Sequence, residues 1–145
     1  MATSTYGYDL ERFVKAQRRD FDTALAEIRS GHKRSHWIWY IFPQLKELGY
    51  SSTAKYYGIE DADEARAFLA HPYLGANLRT ISSALLELPT DDPHAVMGHP
   101  DDLKLRSSMT LFDQVASSDD AVFSRVLKKF YDGRPDPKTL ELLGL

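Results

Sequence analysis

The sequence predicts an all-α fold, a compact orthogonal bundle of about six helices. Three observations predict it. Apolar residues recur at helical spacing, capping residues and glycines bracket the recurrent stretches, and the connections between them are short. The chain has 145 residues, 43% apolar and 27% charged, the composition of a core-forming protein. Neither an internal linker nor a repeat is visible, so residues 1–145 read as a single helical domain.

The first helix carries Leu10, Phe13, Val14, Gln17, Phe21, Ala24, Leu25 and Ile28 on one stripe. Asp9 suits its N-cap and Gly31 its end. Ser35 to Phe42 has strand-like composition but reads as a short buried helix with Ser35 as N-cap, because nothing else offers a strand to pair with. Pro43 stops it. Ser51 or Ser52 caps a turn or two ending near Gly58. Asp61 and Glu64 form a capping-box-like start for Asp63 to Ala70. His71-Pro72 restarts a helix with Leu74, Leu78, Ile81 and Leu85 inside. Pro89 to Pro100 is a connection with one turn after Pro93. Asp101 to Ala116 follows, then a helix capped by Asp119 with Val122, Phe123, Val126, Leu127 and Phe130 inside, ending at Gly133. Asp136-Pro137 opens a last short helix.

Composition excludes several functions. Without cysteine there is no disulfide framework, thiolate metal site or thiol nucleophile. The polar stretch Met1 to Tyr8 has no signal pattern, and Trp37 to Phe42 is too short to span a bilayer, so a cytoplasmic location is expected. A net charge of −3 offers no global attraction to nucleic acid. The basic cluster Arg29, His32, Lys33, Arg34 reads as favourable charge at a helix C-terminus, and nucleic acid is not an expected partner. No phosphate loop, nucleophile elbow or dinucleotide fingerprint is present, and no cofactor is expected. His32 and His36 are separated by Lys33 and Arg34, a poor setting for a divalent cation. His94 and His99, among Asp91, Asp92, Asp101 and Asp102, read as a solvated loop, so no metal is expected.

Three stretches remain as places for function. In His36 to Gln44, helical geometry puts His36 with Tyr40 on one face and Trp37, Tyr40 and Ile41 on another. Its aromatic wall suits a planar ligand, and Gln44 a hydrogen bond to it. In Asp102 to Phe112, Leu105, Met109 and Phe112 form the core face, and only Arg106 and Asp113 look purely solvated. Such a helix is central, and Lys104 with Ser107 or Ser108 could hold an anionic group. The third stretch is His71 to Gly75, where His71 caps a helix or points into a cleft, and Gly75 implies close approach of another element. Ordinary core packing competes with function in all three.

These stretches also carry a family resemblance. Ser35-His36-Trp37, Ile41-Phe42-Pro43-Gln44, His71-Pro72 with Leu74-Gly75, and Lys104-Leu105 with Ser107 to Phe112 resemble the signature of the bacterial family catalogued as domain of unknown function 1810. Phe13 to Gln17, Gly133, Asp136, Thr139 and Leu140 fit it too. The resemblance covers nearly the whole chain and implies an all-helical stand-alone protein with no established activity. Members often carry the label calpastatin, a disordered inhibitor, a composition this aromatic-rich chain does not share. Ala16-Gln17 and Lys129-Phe130 also bear a fainter likeness to helical N-glycosidases of ADP-ribose-type conjugates, without that family's glutamate before its Ala-Gln.

The expected function is therefore binding of a small anionic or nucleotide-like ligand by His36, Trp37, Tyr40, Gln44, His71, Lys104, Ser107 and Ser108. It requires His36, Tyr40, His71, Lys104 and Ser107 to converge on one concavity. The alternative is a protein-interaction module or homodimer without catalysis.

Overall fold

A computed structural model describes residues 8–145; the reading of residues 1–7 lies outside them. Its helices are α1 (Glu11–Arg29), α2 (Ile38–Ile41), α3 (Ser52–Tyr57), α4 (Ala62–Ala70), α5 (Pro72–Leu86), α6 (Pro93–Met97), α7 (Asp101–Val115), α8 (Val122–Tyr131) and α9 (Pro137–Leu142), with a 3-10 turn at Lys46–Leu48. The number exceeds the expected six or so because the short segments after Ser51 and Pro93 close complete helical turns. Outside the helices, Leu45 and Ile59 form a parallel β-bridge. No described helix is long and apolar enough to cross a membrane.

Helix α7 is central, packing against α8, α4, α6, α9 and α2, while α5 joins α1, α4 and α8. The apolar stripes named above meet in one core, with Phe13, Trp37, Phe42, Phe68, Phe112 and Phe123 fully buried. Phe68 links two aromatic contacts, edge-on to Phe13 at 5.0 Å and tilted on Phe112 at 5.4 Å.

Most of the capping signals operate. Ser51, Asp61, Asp92 and Asp136 each accept an N–H from the first turn of their helix. Glu64 completes its box one residue early, accepting from Glu60 N at 2.7 Å. Gly31, at φ +83°, ends α1 in a Schellman turn, with Gly31 N donating to Ile28 O and His32 N to Glu27 O. Three expectations are corrected. Asp9 sits one residue before the N-cap, Leu10, and accepts from Glu11 N instead. The N-cap of α8 is Ala121, not Asp119. Arg106 is half-buried and donates to the Arg134 and Pro135 carbonyls, so it closes the α8–α9 connection and does not face only solvent.

Candidate functional site

Glu27 organises the region where function was expected. It lies on the last turn and a half of α1 and is buried, an unfavourable place for a charge unless hydrogen bonds satisfy it. Its Oε1 accepts from Arg34 N at 2.8 Å, Ser35 N at 2.9 Å and Trp37 Nε1 at 2.9 Å, and its Oε2 from Ser35 Oγ at 2.6 Å. Burial alone would raise the carboxyl's pKa. The four hydrogen bonds outweigh it and hold the pKa at about 2, below the ordinary 4.5.

This clamp corrects the reading of Ser35 to Phe42. The Ser35 hydroxyl donates to Glu27, and the N-cap position falls on Trp37, two residues later. The chain stays non-helical until Trp37, and α2 spans only Ile38–Ile41. The helical face predicted for His36 with Tyr40 therefore does not form. Trp37 goes inward, while Trp39 stays half-buried beside α7.

At that edge the Lys104 ammonium stands 4.5 Å from the centroid of the Trp39 ring. It also lies 3.2 Å from Asp101 Oδ1, while Lys33 holds Asp101 Oδ2 at 2.7 Å. Lys33 is itself 4.9 Å from the Trp37 ring centroid and donates to Ser35 O. Two ammoniums thus share one carboxylate between two indoles, leaving the trio net positive. Lys33 is only 6% exposed and Lys104 25%, so Lys104 is the one that can meet a ligand from solvent. The basic run Arg29 to Arg34 is dispersed in the same fold: Lys33 turns inward, and Arg34 reaches Ser30 Oγ.

The other expected residues have separate partners. The Tyr40 hydroxyl donates to Asp20 on α1, and both burial and that carboxylate raise its pKa. His36 is exposed, with its carbonyl 3.3 Å from the Tyr40 hydroxyl. His71 Nδ1 accepts from Tyr73 N and Leu74 N and caps α5. Ser107 Oγ donates to Asp136 Oδ2 at 3.0 Å, tying α7 to α9. Gln44 Nε2 and Ser108 Oγ are buried without a hydrogen-bond partner among the described residues. The structure thus joins the aromatic segment to Lys104 but engages Tyr40 with α1, His71 with the first turn of α5 and Ser107 with the start of α9. Surface concavities lined by Tyr8, Asp63 and Arg66, by Arg29, Arg79 and Glu87, or by Arg12, Lys46 and Tyr56 include none of the eight residues.

Residues missed from the sequence are Glu27, Lys33, Trp39 and Asp101. The three-residue spacing of Asp101 and Lys104 within one helical turn was a visible signal for their pair. Nothing local signals Glu27, since its partners lie seven to ten residues away across a turn.

A family model described as "Protein of unknown function (DUF1810)" matches residues 7–143. The crystal structure of the conserved hypothetical protein Rv1873 from Mycobacterium tuberculosis is similar, with 41% sequence identity and a TM-score of 0.91. The match covers 94% of this chain and 97% of that one. No curated protein matches.

Proposed function

Because the chain belongs to the DUF1810 family, whose description names no activity, we propose from its own geometry that it binds a small anionic, nucleotide-like ligand across Trp39 and Lys104. One observation carries this reading: a partly exposed ammonium held 4.5 Å from the centroid of a partly exposed indole. A planar base stacks on the indole, and an anionic group accepts from Lys104. Asp101 orients the ammonium, and Lys33 beneath offsets the carboxylate's charge. The ligand lies across a face and not in an enclosed cavity, so micromolar or weaker affinity is expected.

No particular observation favours N-glycosidase chemistry, which needs a carboxylate beside the reacting carbon. Asp101 is engaged by two ammoniums, and Glu27 gives both oxygens to the neighbouring chain. Nor does one favour an interaction surface: the large exposed apolar side chains are Tyr50 and Tyr56 around α3, Leu103 on α7 and Leu145 after α9.

The test is a thermal-shift and calorimetric screen against ADP, ADP-ribose and sugar phosphates. Binding to the folded state raises the melting temperature. Trp39→Ala and Lys104→Ala should each abolish the response, and exposed His36→Ala should keep it. Absence of any response in the unmodified chain, or a response that survives both substitutions, defeats the proposal.

A further inference from the structure

We propose that His94, His99 and Asp102 form a divalent transition-metal site at the junction of α6 and α7, with zinc the best-fitting ion. One ring nitrogen from each histidine and one carboxylate oxygen of Asp102 lie within 4.8 Å of one another. His99 Nδ1 stands 3.0 Å from Asp102 Oδ1, and the two imidazole rings are 6.2 Å apart between centroids. Two imidazoles and a carboxylate are borderline donors of the kind zinc accepts, leaving a fourth position for water or substrate. With zinc–ligand bonds of about 2.0–2.1 Å, tetrahedral ligands stand roughly 3.4 Å apart. The set must therefore contract by up to about 1.4 Å at its widest, and rotation of the exposed His94 and His99 side chains supplies that movement.

The backbones beneath His94 and Asp102 are already held. Asp92 Oδ1 accepts His94 N at 3.0 Å in the first turn of α6. The Tyr131 hydroxyl donates to the Asp102 carbonyl at 2.5 Å, fixing the first turn of α7. Gly98, at φ +75°, turns the chain sharply between them, a conformation that suits glycine. Histidines five residues apart do not share a helical face, and this turn is what brings them together. The site does not depend on the ligand reading above, since it uses none of the same side chains.

The experiment uses the full chain without a polyhistidine tag, stripped with a chelator. Zinc chloride is titrated by calorimetry and cobalt(II) chloride by visible absorption. The expected result is one ion per chain with micromolar or tighter affinity, and cobalt bands of a four- or five-coordinate site. His94→Ala and His99→Ala should each weaken binding by at least about tenfold. Both positions are exposed, so circular dichroism should be unchanged. Lys104→Ala should keep the metal, which separates this outcome from that of the nucleotide screen. No heat and no cobalt absorption in the unmodified chain overturns the proposal, as does binding that survives in the His94→Ala/His99→Ala double variant.

Discussion

Ser107 and Ser108 are neighbours in α7, and both are buried. Their hydroxyls have opposite energetic standing. Ser107 Oγ reaches Asp136 Oδ2 and the Leu103 carbonyl, while Ser108 Oγ meets no partner among the described residues. Removing a satisfied hydroxyl costs the hydrogen bond, whereas removing an unsatisfied one relieves a desolvation penalty. Ser107→Ala should therefore lower stability by about 1 kcal/mol, and Ser108→Ala should leave it unchanged or raise it by up to about 1 kcal/mol. Urea unfolding of the two variants at neutral pH checks this, and a Ser108→Ala variant less stable than Ser107→Ala would contradict it. Both serines were visible in the sequence as small residues on a central helix. Which of them has a partner was not, because Asp136 comes from a helix 29 residues away.

Side chains from outside α5 close both of its ends. His71 caps its N-terminus through Nδ1, and the Lys129 ammonium on α8 donates to the Leu85, Leu86 and Leu88 carbonyls at its C-terminal end. Between these ends, Gly75 faces the last turn of α4. A Cβ added there would lie 2.1 Å from the Leu69 carbonyl oxygen and 2.9 Å from Arg79 Nη1. The arginine can move, but the backbone carbonyl can yield only by shifting α4. Gly75→Ala gains about 1 kcal/mol of helix propensity and loses more to the clash, so a net loss of about 2 kcal/mol or more is expected. Thermal unfolding measures it, and a stabilised variant would show that the two helices separate easily. The sequence signalled that something approaches Gly75. That the approaching group is α4's own terminal carbonyl follows from the sharp reversal at His71-Pro72.

Across the whole molecule, one buried carboxylate couples acid stability to the candidate site. Glu27 pins residues 34–37 to α1, and this placement delays α2 and turns Trp39 towards Lys104. Its pKa is depressed on folding, so its contribution is fully present above the unfolded value of 4.5 and is lost as pH falls towards about 2. That depression corresponds to about 3 kcal/mol, at roughly 1.4 kcal/mol per pH unit. Glu27→Gln should lose a comparable amount at neutral pH, and its stability should vary less between about pH 5 and 2 than that of the unmodified chain. Unfolding free energies measured across that range test it; parallel pH curves would assign acid sensitivity to other groups. The Glu27→Gln chain should also bind the proposed ligand less well, since Glu27 anchors Trp37 and residues 34–35, just before Trp39 in the chain.

By itself the sequence determined the helical class, most helix starts, the core stripes and the central position of α7. Those properties depend on periodicity and on capping within three or four residues, which are local along the chain. Tertiary structure alone decided that Ser35 serves Glu27 and caps nothing, that Lys104 meets Trp39, and that Tyr40, His71 and Ser107 part company. It also decided that His94 on α6, His99 in the following turn and Asp102 stand together. Each of these pairings joins side chains whose nearness is set by how helices and turns are stacked, and a buried polar group takes whichever partner that stacking brings within reach.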